Sequence, residues 1–109
     1  MTSASSAQDW LPNDSATITS TGGTALNGTL DIQLYTEGTC GVGSGSAVSG
    51  QLYSFTLTDE ASGTPHVTTN TTHLVSLTST VSWLVTFTST DAAVQSDSHY
   101  ESTDLTITN

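Results

Sequence analysis

Apolar and polar residues alternate in short runs along most of this chain, and the period of two predicts strands rather than helices. Leu26 to Tyr35 places Leu30, Ile32 and Leu34 on one side and Asp31 and Gln33 on the other. Gln51 to Thr58 repeats the pattern, with Tyr53, Phe55 and Leu57 opposed to Ser54, Thr56 and Thr58. Thr80 to Thr88 carries it most clearly, because Val81, Trp83, Val85 and Phe87 align against Ser82, Thr86 and Thr88, with Leu84 left on the polar side. A weaker alternation covers Ser15 to Ser20, Val67 to Thr78 predicts one or two strands, and Tyr100 to Thr108 predicts a last one with Leu105 and Ile107 inward.

The intervals between these runs carry turn residues. Gly22-Gly23 and Asp59 to Pro65 predict turns, Ser89 to His99 a polar loop, and Thr36 to Gly50, with Cys40 among its glycines, a long loop. Trp10 and Leu11, set before Pro12-Asn13-Asp14, are expected to anchor the start of the fold. Small polar residues without periodicity predict a flexible lead over 1–9, followed by one domain over 10–109. Roughly seven short strands separated by Gly-, Ser- and Asp-rich turns predict an antiparallel β-sandwich. Its core is expected from Leu30, Ile32, Leu34, Tyr53, Phe55, Leu57, Val81, Trp83, Val85, Phe87, Leu105 and Ile107.

Composition changes what such a domain can be asked to do. The chain has 109 residues, 10 Asp and Glu, no Lys or Arg, and a formal net charge of −10. An average composition would supply about 13 basic residues. Their absence argues against clamping phosphates and against docking on anionic membranes, so neither a nucleic-acid partner nor membrane insertion is expected. Only 34% of residues are hydrophobic, and 23 Thr and 17 Ser take over as solubilising groups. The N-terminal residues lack a basic and apolar leader, and no apolar run approaches the length of a membrane span. An extracellular setting would therefore need an export signal that is not in this chain. The single Cys40 cannot form an intramolecular disulfide, though it can link two chains.

Candidate chemistry is sparse. His66, His73 and His99 are metal-ligand types, but the spacing of seven from His66 to His73 places those two on opposite faces of a continuous strand. Asp91, Asp97 and Glu101 flank one loop in which oxygen ligands can hold Ca²⁺, yet there is no Asp-x-Asp-x-Asp-Gly array. Ser98 and His99 are adjacent and point apart in a strand, no Gly-x-Ser-x-Gly elbow occurs, and Cys40 has no cationic neighbour to activate it. Isopeptide cross-linking is excluded because it needs Lys. Thr-x-Thr at 17–19, 56–58, 86–88 and 106–108 presents paired hydroxyls on outward faces, an arrangement found in ice-binding surfaces. High β-propensity in a chain without basic residues explains it more simply. Asn13, Asn27 and Asn70 begin glycosylation sequons, which only permit a secreted setting. No catalytic, cofactor-binding or metal-binding residue is assigned, and no enzymatic activity is expected.

Four segments carry a resemblance: Asp9 to Thr17, Gly23 to Leu30, Val81 to Val85, and His99 to Ile107. Together they resemble the immunoglobulin-like or prealbumin-like repeat modules of actinobacterial cell-surface proteins. The resemblance implies a stalk or spacer domain, often in tandem, without chemistry of its own. It also implies a cysteine in the glycine-rich loop, matched by Cys40, and a second before the last strand, where Tyr100 stands instead. The lost disulfide and the absent basic residues mark a divergent or an engineered member. The expected function is a structural stalk or display module at the cell surface, monomeric because its acidic surface repels itself. The alternatives are a scaffold that binds a protein or carbohydrate through its loops, and a self-assembling filament or capsid-decoration subunit.

Overall fold

The computed structural model describes residues 2–36 and 47–107. Cys40 and Thr108, with the expectations attached to them, lie outside the described residues. Among the described residues there are six strands: β1 (Ser15–Thr17), β2 (Leu26–Tyr35), β3 (Ala47–Glu60), β4 (Pro65–Val67), β5 (Ser79–Ser89) and β6 (Asp97–Leu105). They form a four-stranded antiparallel sheet in the order β3-β2-β5-β6 and a two-stranded one pairing β1 with β4. The fold is all-β, and the helical content of the described residues is a single 3-10 turn at Thr21–Gly23, where both glycines have positive φ. No helix among them is long and apolar enough to cross a membrane.

The register explains where the core lies. Leu30 stands between Phe55 and Phe87, Ile32 between Tyr53 and Val85, and Leu34 beside Trp83. These rows put the alternate residues of three strands on one face, which is the arrangement that period-two patterning demands. Leu30, Ile32, Leu34, Leu57, Val81, Trp83, Val85 and Phe87 are buried, whereas Tyr53, Phe55, Leu105 and Ile107 are only partly covered. Ala16, Leu26 and Val75 complete the core and were not among the residues expected there. Ala16 and Val75 come from the smaller layer, and the Phe55 ring meets His66 of β4 at 4.7 Å between centroids.

Four expectations are corrected. Trp10 and Leu11 do not anchor the fold by burial, since Trp10 is 51% exposed and Leu11 43%. Trp10 holds instead through its backbone, exchanging N–H···O bonds of 2.9 and 2.8 Å with Val75, which is the buried partner. The segment Val67 to Thr78 is not a strand or two: β4 ends at Val67, and beyond it only Val75 makes a bridge. The last strand starts at Asp97 rather than Tyr100, and β3 starts at Ala47, inside the expected loop.

Beside the buried Ala16 and Val75, polar side chains tie the smaller layer together. Asn13 Oδ1 accepts from the Thr68 hydroxyl and from the Asn70 N–H, both at 2.7 Å, while Thr68 Oγ1 accepts from the Asp14 N–H at 2.9 Å. Asn70 Nδ2 donates to the Pro12 and His73 carbonyls at 3.0 and 2.9 Å, and its Oδ1 accepts from the Thr72 and His73 N–H groups. Buried Gln51 of β3 donates to Thr72 Oγ1 and accepts from the Tyr53 hydroxyl, joining the latch to the large sheet. Among the described residues no buried side-chain polar atom lacks a partner.

Candidate functional site

Two strands cannot cover four. Across the core face of the large sheet each apolar row ends on a polar β6 residue: Phe87 stands beside Asp97, Val85 beside His99, Trp83 beside Glu101 and Val81 beside Thr103. These β6 residues point the same way as the core and yet are exposed, with the His99 and Glu101 side chains 62% and 63% accessible. The uncovered strip becomes a groove of about 850 Å³, with Val85 and Phe87 on its floor, Asp14 to Thr21 on one wall, and Ala93 to Asp97, His99 and Glu101 on the other.

The β1 wall presents backbone that β4 does not use. Thr68 N–H donates to the Asp14 carbonyl at 3.0 Å and Gly63 N–H to the Ile18 carbonyl at 2.9 Å, so the even-numbered groups of this segment turn toward β4. In an antiparallel ladder the odd-numbered residues between them, Ser15 and Thr17, turn their N–H and C=O away from β4, on the groove side, where the Asp14 carboxylate takes the Ser15 N–H. Pro65 opposite Thr17 fits this alternation, because a non-bonded position asks nothing of the missing N–H.

Acidic side chains surround this edge. Burial pushes the Asp14 carboxyl above its ordinary value of 3.8, the Ser15 N–H bond pulls it back, Glu101 raises it again and His99 lowers it. A carboxyl whose pKa is raised by folding costs stability while ionised, and the cost fades as pH falls through the folded-state value toward 3.8. Asp14→Asn is therefore expected to raise Tm at neutral pH and to leave it unchanged in acid below the ordinary aspartate range. Melting curves across that range check this, and a lower Tm at neutral pH would mean that the ionised bond to Ser15 outweighs the burial.

The residues singled out in the sequence are mostly scattered. His66 bonds Glu60 at 2.8 Å and packs on Phe55, His99 lies 3.2 Å from Glu101, and His73 is on the latch segment. Asp91 caps the Ala93 N–H and Asp97 the Ser98 N–H. Among the described residues no three His, Cys, Asp or Glu side chains gather as a metal would require. The Thr-x-Thr pairs share a surface only in part: Thr29 lies beside Thr56 and Thr88 on the outer face of the large sheet, but Asp31, bonded to Ser54 at 2.5 Å, interrupts the next row. Leu52, Gln33, Leu84 and Tyr100 form the row after that. Asn70, 2% exposed and using its whole amide, is closed to glycosylation in the folded protein.

The groove was absent from the sequence reading because its walls come from opposite ends of the chain and its polar β6 residues disguise a core-facing strand. No family model, no curated protein and no solved structure matches this chain.

Proposed function

We propose that the chain is a non-enzymatic structural module, an immunoglobulin-like or prealbumin-like sandwich that serves as a stalk or display unit of a bacterial surface protein. The observation that carries this reading is how the polar side chains are used. Asn13, Thr68 and Asn70 fasten the segments of the smaller layer to each other, Gln51 ties them to the large sheet, His66 engages Glu60, and Asp31, Asp91, Asp97 and Asp104 take up neighbouring hydroxyls or N–H groups. Groups committed to structural bonds are suited to holding shape rather than to turnover. Two facing antiparallel sheets with Trp83 buried on an inner strand support the immunoglobulin-like form.

A stalk module should remain monomeric whether or not its charge is relieved. Sedimentation at neutral pH and at about pH 4, where carboxylates begin to protonate, is expected to show one monomeric species throughout. Association that appears on acidification would favour the self-assembling subunit instead, because strand edges would then pair once repulsion is lifted. The parent gene is expected to carry tandem copies beside a wall-anchoring end.

A further inference from the structure

We propose that the groove between β1 and β6 is a docking site for an extended, lysine- or arginine-bearing segment of another protein, added as a strand to the free edge of β1. The inference goes beyond the stalk reading and holds whether or not that reading does. Its first support is the mismatch of layers. The second layer stops at β1, one strand short of covering β6, and leaves a groove of about 850 Å³ floored by Val85 and Phe87. The second is the backbone: the Thr17 N–H and C=O and the Ser15 C=O face away from β4, which makes no use of them, while the Ser15 N–H is taken by the Asp14 carboxylate. An incoming strand would pair there while its alternate side chains reached down to the sheet, the mode in which main-chain bonds supply affinity and side-chain pockets supply selectivity.

Charge selects the occupant. The groove is lined by Asp14, Asp97 and Glu101, with His99 as its one basic type. A second copy of this chain would bring no lysine or arginine to meet them and would add its own net charge of −10 to the encounter. A cationic strand meets Asp97 and Glu101 on the side facing the sheet and Asp14 along the edge, and the overall field of the protein draws it in.

The probe is an end-capped peptide of about six residues alternating threonine and lysine, matched to a typical strand length. Binding is measured at about 0.15 M salt, so that weak long-range attraction is screened. Saturable binding to the intact protein is expected. Asp97→Asn combined with Glu101→Gln should weaken it about tenfold or more, whereas Asp31→Asn combined with Asp59→Asn, the same charge change outside the groove, should alter it less than about twofold. The same peptide N-methylated at alternate residues, on the edge meant to face β1, should also lose about tenfold. Equal weakening by both double variants would reduce the effect to bulk charge. Undiminished binding of the N-methylated peptide, or no saturable binding up to millimolar peptide, would overturn strand addition.

Discussion

Gly28→Ala is expected to cost about 3 kcal/mol or more of folding stability, enough to leave a small domain close to unfolded. Gly28 has a φ of 149°, and a Cβ placed on it would lie 2.1 Å from the Thr88 carbonyl oxygen and 3.0 Å from the Ser89 Cα. Both obstacles are backbone of the adjoining strand β5, so no rotamer change relieves them. The position cannot shift easily either. On its other side the pairing slips between Leu26 opposite Glu60 and Gly28 opposite Leu57, a bulge in β3 whose Asp59 N–H is fixed by Asn27 Oδ1 at 2.9 Å. Gly63→Ala is the natural comparison, since Gly63 has a φ of 87° with open space around it and should cost only the conformational strain, about 1 kcal/mol. Urea denaturation of both variants separates the two causes. Equal losses would show that the close approach of β2 and β5 is not what demands glycine.

The contrast between these strands also shows what could be read from the sequence. β2 and β5 lie in the middle of the large sheet with one face on the core, so their burial follows the alternation of hydrophobicity, with buried Ser82 as an exception, and that alternation is legible. β6 is an edge that the second layer does not reach. Its core-facing positions are Asp97, His99 and Glu101, so alternation in hydrophobicity disappears where the strand begins, and the sequence there reads as loop. β4 is three residues opening on Pro65, too short for a period to declare itself. Trp10 is exposed and its bridge partner Val75 is buried, because which one is covered depends on a bridge between distant segments and not on the apolar character of either. The groove inherits both difficulties, being built from the unread edge and from β1.

Absence of basic residues sharpens the same point. Without lysine or arginine the folded chain meets its acidic groups only with hydroxyls, N–H groups and imidazoles, as in Thr80 to Asp104 at 2.7 Å and Ser54 to Asp31. Around the groove the partners are of the same kinds, the Ser15 N–H for Asp14, the Ser98 N–H for Asp97 and the His99 ring for Glu101, and what sets Asp14 apart is the burial that pushes its carboxyl up.

Asn70→Asp is expected to cost about 3 kcal/mol at neutral pH and to recover part of that loss in acid. The exchange barely alters volume, so the cost reports hydrogen bonding rather than a cavity. The native amide uses both donors, on Pro12 O and His73 O, and both acceptor sites, from the Thr72 and His73 N–H groups. A carboxylate keeps the two acceptor contacts, but sets negative oxygen against two carbonyls at a position that is 2% exposed. The ionised form is thus disfavoured in the folded state, and the folded-state pKa of the new carboxyl rises above its unfolded value. Stability is then lowest above that folded pKa and returns as pH falls through it, because the protonated acid regains one donor. The loss should be shared by the whole smaller layer, since Asn70 N–H also holds Asn13, and Asn13 holds Thr68. Hydrogen exchange is expected to show faster opening of the bonds between Trp10 and Val75 and between β1 and β4, with β2 and β5 protected longest. A variant as stable as the parent at neutral pH, or one whose deficit is the same at every pH, would show that the Asn70 bonds do not hold the smaller layer together.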